Sequence, residues 1–407
     1  MTDGELRPRL RPLEIIPIPG EGLLLRDPAG FFEQPVFVAE PAIPLLQWFD
    51  GDHTLLDLQT LLTRATGEFV SLDQVLRLVG QFDELLILDS ERFHAHRRTQ
   101  VAEFRALTVR PASHAGESYP ADPAALQACL DGFYADAQGA GVPPFMRSGN
   151  AVRAVMAPHI DLRAGGPTYT HAYRALAEGA SARTVVVLGV AHAGAAHGVA
   201  ATAKDFDTPL GPVRTDRAFL DALAARLPFD PFHDEFVHRG EHSVEFQAVF
   251  LRHLFGDRVS LVPLLLAGFH EPLRAGLRPE QDDRLGAFFA ALRETLTEWG
   301  DNAVVLLSVD LAHVGPRFGD EVDLTEPLLE HVAAEDLSFL QAAEALDPDR
   351  LLAEYLKDND SRRVDGFPGL YTLLQVLALQ SGKLLAYDQT VSPESGSAVS
   401  FASMAFG

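Results

Sequence analysis

The stretch Arg239–Leu251, Arg-Gly-Glu-His-Ser-Val-Glu-Phe-Gln-Ala-Val-Phe-Leu, gathers acid, imidazole and hydroxyl groups at the start of an apolar helix. Gly240 marks the break before it, and Val244, Ala248 and Leu251 recur at helical spacing, a stripe that should face a core. His242 and Glu245 are three positions apart and so share one helical face, close to the end where the helix dipole favours carboxylates. A histidine and a carboxylate placed there can orient each other and exchange protons with a bound ligand. An ordinary capped helix uses the same residues, so the rest of the chain has to decide.

Three further apolar runs end in groups of the same kind. Val152–Ala157 leads to Pro158-His159, Thr184–Gly189 to Ala191-His192, and Ala303–Val309 to Asp310-Leu311-Ala312-His313. Continuous, β-branched runs of this length read as strands buried on both faces. In α/β sheets ligands sit in the crevice beyond the carboxyl ends of the strands. If these strands are neighbours, His159, His192 and the Asp310/His313 pair converge with His242 on one pocket. Imidazoles and carboxylates around a concavity can bind a divalent metal with open positions, as in non-haem iron or catalytic zinc sites, or act as general acid and base without one.

The elements that must hold these groups follow from periodicity. Between the strand-like runs, which include Val259–Ala267, lie helical patterns at Tyr169–Ala177, Phe219–Leu227, Ser243–Phe255 and Leu285–Trp299. Alternating strands and helices predict an α/β sandwich with a largely parallel or mixed sheet, and Leu384–Tyr387 and Ala398–Met404 should pair on it. Before this domain, residues 1–100 read as a small α+β unit. A hairpin is expected at Leu13–Ile18 and Leu23–Arg26 around Pro19-Gly20-Glu21-Gly22. Helices should open at Thr54/Asp57 and at the capping box Ser71/Gln74, and Leu85–Leu88 should form a closing strand. With Asp50-Gly51-Asp52-His53-Thr54-Leu55, this order resembles the winged-helix-like, PqqD-like domains that bind a leader peptide along a strand edge. Arg92–Thr108 is polar and basic and reads as a linker.

Composition narrows the function. With 407 residues and 47% hydrophobic content the chain can build a substantial core. A formal net charge of -24 argues against nucleic-acid binding, which needs clustered Lys and Arg, and against docking on anionic membranes. The single cysteine, Cys129, falls in a helical stretch, Ala124–Ala137, as a small core residue, which leaves no disulfide and no thiolate-rich metal site. No apolar h-region opens the chain and no apolar run approaches the ~20 residues that span a bilayer, so a cytoplasmic location is expected. The nucleophile elbow, the P-loop and the dinucleotide fingerprint are all absent.

Six ordered blocks resemble the MEMO family, whose prokaryotic members are named AmmeMemoRadiSam system protein B. They are Arg110-Pro111 with Ala115-Gly116-Glu117-Ser118-Tyr119-Pro120, Ala157-Pro158-His159, Leu188-Gly189-Val190-Ala191-His192, Thr208-Pro209-Leu210-Gly211, Glu241-His242-Ser243-Val244-Glu245, and Ser308-Val309-Asp310-Leu311-Ala312-His313. Asp365-Gly366 and Ser397–Ala402 agree, and the resemblance covers residues 108–407. It implies a fold similar to class III extradiol non-haem iron dioxygenases, with iron or another divalent metal as cofactor; the missing P-loop and dinucleotide motifs leave no nucleotide cofactor evident. By motif, His159 and His192 correspond to metal-binding histidines and His242 to a pocket histidine beside them. Ala312 stands where some members place a cysteine ligand, and alanine cannot coordinate; Glu241, Asp310 and His313 are the groups at hand to compensate. Ile160-Asp161-Leu162, Ala193 and Asp365 are further departures, the last in place of a cysteine.

The resemblance also implies radical-SAM and AMMECR-type proteins as partners. Two functions follow. One is a metal-dependent redox protein with His242 as acid, base or substrate anchor. The other is a non-catalytic accessory protein for a radical-SAM-linked modification system, whose amino-terminal domain recruits a peptide or protein by strand addition.

Overall fold

The computed structural model describes residues 5–407 other than 19, 33, 144–150 and 393–394, and not the side chain of residue 41. Met1–Gly4 and Pro19 of the expected hairpin turn therefore lie outside the described residues. The chain divides into two compact units, residues 1–106 and 107–407.

The first unit opens with an antiparallel sheet of β1 (Glu14–Ile18), β2 (Gly22–Arg26) and β3 (Val36–Ala39), followed by α1 (Ile43–Gln47), α2 (Leu55–Thr66), α3 (Leu72–Glu84) and α4 (Glu91–Ala106). Ser71 closes the expected capping box with Gln74, and Thr54, expected to open α2 with Asp57, forms a capping box with it as well. Two expectations are overturned. Leu85–Leu88 is not a strand: Leu86 has φ 60°, which breaks an extended run, and only Leu88 pairs, in a lone bridge to Leu10. Arg92–Thr108 is not a linker, because its greater part is α4. Ser90 starts that helix by accepting the Phe93 amide through its hydroxyl (3.2 Å), and Phe93 and Phe104 are the side chains it buries. Two aromatics in a polar run are too sparse for a periodicity argument.

The second unit contains β4 (Val109–Arg110), α5 (Pro123–Ala135), β5 (Ala154–Ala157), α6 (Leu162–Gly179), β6 (Thr184–Val190), β7 (Val199–Ala201), β8 (Asp205–Phe206), α7 (Arg217–Ala224), α8 (His242–Phe255), β9 (Ser260–Leu266), α9 (His270–Arg274), α10 (Asp283–Trp299), β10 (Ala303–Ser308), β11 (His313–Val314), α11 (Glu326–Glu344), α12 (Pro348–Leu356), α13 (Gly366–Val376), β12 (Gly382–Ser392) and β13 (Ser397–Phe406). Its main sheet runs β11-β13-β5-β10-β6-β9-β7, with β12 paired on β13. The central strands β5, β10, β6 and β9 are parallel, while β13 and β7 join antiparallel, so the sheet is mixed.

Strand side chains alternate between two faces, and here both faces are covered. Met156, Val186, Leu188, Val262, Leu264, Val305 and Leu307 pack toward Phe288 of α10 and Leu370 of α13. Val155, Ala157, Val185, Val187, Leu261, Val304 and Leu306 pack with Tyr169 and Tyr173 of α6 and Phe250 of α8. Each such burial is worth about 1.5–3 kcal/mol relative to exposure, which is why the strands carry no polar alternation. Cys129 is only partly buried, beside the Leu126–Leu130–Tyr134 stripe of α5 rather than in it. Among the described residues no helix is long and apolar enough to cross a membrane.

Candidate metal centre

Parallel pairing of β5, β10 and β6 brings the three strand ends together on one edge of the sheet. His159 follows β5, His192 follows β6 and Asp310 follows β10, while His242 opens α8 alongside. The approach of α8 depends on Gly189 near the end of β6: a Cβ there would lie 2.6 Å from Ser243 Oγ. That hydroxyl instead takes the Val190 amide at 3.1 Å, tying the helix to the strand. From inside α8, the Gln247 amide donates to Pro158 O (2.8 Å) and Ser308 Oγ (2.7 Å), tying it to β5 and β10.

His159, His192 and His242 offer ligand atoms that all lie within 4.8 Å of one another. Their ring centroids are 4.9–5.1 Å apart, with His192 and His242 stacked and His159 edge-on to both. The Nδ1 sides are already engaged. His159 Nδ1 lies 2.9 Å from Ser308 O, His192 Nδ1 3.0 Å from a Glu241 oxygen, and His242 Nδ1 3.2 Å from the other Glu241 oxygen. Anchoring one ring nitrogen in this way fixes the tautomer and frees Nε2 to coordinate. Glu241 also accepts the Ser243 and His192 amides, at 3.0 and 3.2 Å, so it caps α8 while holding two imidazoles.

Asp310 and Asp365 complete the wall. Asp310 Oδ1 accepts the His159 and Ile160 amides (2.9 and 3.2 Å), which leaves Oδ2 at 3.6 Å from His159 Nε2. Asp365 Oδ1 accepts the Asp310 amide at 2.8 Å, and its Oδ2 stands 3.1 Å from His159 Nε2. His313 is not in the three-histidine group. Its Nδ1 faces the carbonyls of Leu311 and Arg363 at 3.1 Å, and its Nε2 is 3.9 Å from Asp365 Oδ2, so it borders the cluster on the Asp365 side.

These contacts set the charges. Burial works against an imidazolium at His159, yet Asp310 and Asp365 raise its pKa to about 10. Burial likewise opposes charge at His192, and Glu241 outweighs it and raises the pKa. Glu241 is held well below the ordinary carboxylate range by His192 and His242 in spite of its burial. His242 is driven well below the ordinary imidazole value, by burial first and by the neighbouring histidines, against the pull of Glu241, and so is neutral. The carboxylates thus balance an added positive charge, whether a proton on His159 or a cation between the rings. The group is buried at His159 and open at His192, whose side chain is 42% exposed.

Glu245 behaves otherwise than its spacing from His242 suggests. It is fully buried and pairs with Arg110, 135 residues earlier in the chain, and it accepts the Tyr119 hydroxyl, the Ser113 hydroxyl (2.9 Å) and the His114 amide (2.9 Å). Burial opposes its charge, and Arg110 with His114 keeps its pKa below the ordinary value all the same. Arg110 in turn donates to His238 O (2.7 Å) and Glu241 O (2.8 Å), so this ion pair steadies the backbone that carries Glu241.

His238 carries a pH consequence. Its Nε2 bonds Ala200 O at 3.1 Å, its Nδ1 is buried without a partner, and burial lowers its pKa to about 3. The unfolded chain takes up this proton below about 6.5 while the native state refuses it, so stability present above that pH is lost as pH falls toward 3. His238 is expected to contribute a slope of up to about 1.4 kcal/mol per pH unit in that window. Urea titrations at several acidic pH values should show a shallower decline for His238→Gln than for wild type; equal slopes would contradict the assignment.

A family model described as Memo-like protein matches residues 110–405. The chain belongs to the Memo-like family. It is 27% identical over 405 residues to a MEMO1 family protein of Aquifex aeolicus, covering 98% of this chain and all of that protein. It is 31% identical over 335 residues to one of Thermus thermophilus, covering 82% and 93%, and 33% identical over 205 residues to one of Methanopyrus kandleri, covering 50% and 68%. Every residue of the cluster falls inside the Memo-like match. Of these residues, sequence reasoning gave no role to Asp365, which it quoted with Gly366 as part of the family pattern and as a departure from a cysteine. The signal was present as an aspartate immediately before a helix-opening glycine, on the loop that faces the strand ends.

Proposed function

We propose that the Memo-like unit is a metal-dependent protein of the non-haem iron type, in which His159 and His192, with His242 beside them, hold one divalent transition metal. The observation that carries this reading is the convergence of three imidazoles, two of which bond a carbonyl or Glu241 through the opposite nitrogen while the third, His242, has its Nδ1 3.2 Å from a Glu241 oxygen. The donors fit such an ion, since imidazole suits iron and zinc, and the nearby carboxylates supply the compensating charge. A bound iron(II) would supply Lewis-acid and one-electron redox chemistry there. The chain's own residues do the rest. Glu241 orients His192, Asp310 holds the His159 backbone, and the exposed side of His192 leaves a path for a small substrate. His242, kept neutral, presents an unprotonated ring nitrogen that can accept a hydrogen bond from a group bound next to it.

Glu241 provides the test. Removing an outer partner of a metal-binding histidine typically costs about 10- to 100-fold in affinity. Glu241→Gln is expected to weaken cobalt(II) or iron(II) binding by that factor in anaerobic calorimetry. An affinity equal to wild type would contradict the role given to Glu241.

A second reading keeps the cluster but makes the protein a cytoplasmic, non-catalytic accessory of a radical-SAM-linked modification system, with an AMMECR-type protein as a further partner. What favours it is the sheet of the first unit. Among the described residues no strand pairs with the outer edges of β1 and β3, and Ile15 and Phe37 are 48% and 50% exposed on them, which suits capture of an extended peptide.

A further inference from the structure

We infer that Asp365, through Oδ2, is itself a ligand of the metal held by the histidine cluster, so that His159, His192 and Asp365 form a two-imidazole, one-carboxylate set. This rests on the reading of the cluster as a metal centre and names the ligand that completes it.

Asp365 sits at the N-cap of α13, where an aspartate ordinarily turns back to accept a helix amide, but its side chain makes no such bond. Oδ1 is fixed by the Asp310 amide, which sets the direction of the carboxyl group. Oδ2 is buried without a hydrogen-bond partner and is aimed among three imidazoles: 3.1 Å from His159 Nε2, 4.0 Å from His192 Nε2 and 3.9 Å from His313 Nε2. An anionic oxygen buried this way is costly unless it meets a cation, here either a proton on His159 at 3.1 Å or a metal ion that takes that proton's place between the rings. The backbone is built for the approach. A Cβ at Gly366 would lie 2.7 Å from Asp310 O, so only glycine lets the start of α13 rest against the end of β10 and bring Asp365 to the cluster.

No cysteine thiolate competes for the position among the described residues. Ala312 is fully buried and packs with Val314, Val332 and Ala398, and the single cysteine lies on α5. A set of two imidazoles and one carboxylate with open positions is the combination suited to iron(II), and it leaves His242 as a neighbour rather than an obligatory ligand.

Cobalt(II) is the probe, added anaerobically to the full chain and to Asp365→Asn, Asp365→Ala and Asp365→Cys, with folding followed by circular dichroism. Wild type is expected to bind one cobalt(II) without a sulfur charge-transfer band. Asp365→Ala should bind more than about 100-fold more weakly, beyond the loss typical of an outer partner. Asp365→Asn, which keeps the shape and an acceptor for the Asp310 amide, should fold as wild type yet bind weakly with an altered ligand-field spectrum. Asp365→Cys should recover binding and gain a sulfur-to-cobalt band in the near ultraviolet. Wild-type affinity and spectrum in the alanine and asparagine variants, with no sulfur band in the cysteine variant, would overturn Asp365 as ligand while leaving the histidine centre standing. A wild-type chain that takes up no cobalt(II) would overturn both.

Discussion

Glu245→Ala is expected to cost the Memo-like unit about 3–5 kcal/mol of stability, the penalty typical of breaking a buried ion pair by removing one partner. Arg110 and Glu245 are both fully buried, and the substitution strands a guanidinium away from water together with the hydroxyls of Tyr119 and Ser113. The pair itself need not be a large net gain, because desolvating two charges offsets most of their attraction. The expected loss comes from leaving one of them alone. A double-mutant cycle with Arg110→Met tests this. The double variant should be more stable than the sum of the two single losses requires, with a coupling of roughly 1–3 kcal/mol. Chemical denaturation supplies the numbers, and a Glu245→Ala loss below about 1 kcal/mol, the scale of an exposed pair, would contradict the account. Because Arg110 also holds the carbonyls of His238 and Glu241, Glu245→Ala should loosen the α8 cap as well as the fold.

Losing the centre itself is the second large effect. His159→Ala and His192→Ala should each weaken cobalt(II) or iron(II) binding by more than about 100-fold, exceeding the change expected on removing an outer partner such as Glu241. The two differ in what else they disturb. His192 is half-exposed, and removing its ring leaves only the Glu241 carboxylate short of a partner, so the variant should fold as wild type. His159 is buried between two carboxylates, and its removal sets Asp310 against Asp365 without a counter-charge. His159→Ala should therefore lose stability as well, recovered in part by Asp365→Asn in the same chain. Near-wild-type binding in His192→Ala, measured by calorimetry on folded protein, would be incompatible with a ligand at that position.

The sequence carried the site unevenly, for physical reasons. His159, His192 and Asp310 were legible because buried parallel strands are continuous apolar runs, and such runs end where a polar ligand site must begin. His242 was legible as a helix start. Its partner was misassigned: three-residue spacing pointed to Glu245, whereas the adjacent Glu241, as N-cap, reaches both His242 and His192. The partner of Glu245 lies 135 residues away, and no local pattern encodes a contact of that separation. Asp365 looked like a missing cysteine while positions were taken singly; folding makes it the carboxylate nearest to the His159 Nε2 atom. In the first unit, α4 was taken for a linker because helix formation there rests on the Ser90 cap and two buried phenylalanines rather than on an apolar stripe.

Metal content per chain tests the central claim most directly. Protein purified without added metal, loaded anaerobically with iron(II) and freed of excess by gel filtration, should retain one ion per chain. The His159→Ala/His192→Ala double variant, shown to be folded, should retain none. A wild-type chain that emerges without stoichiometric metal, or a double variant that keeps a full equivalent, would contradict the assignment of this cluster as a metal centre.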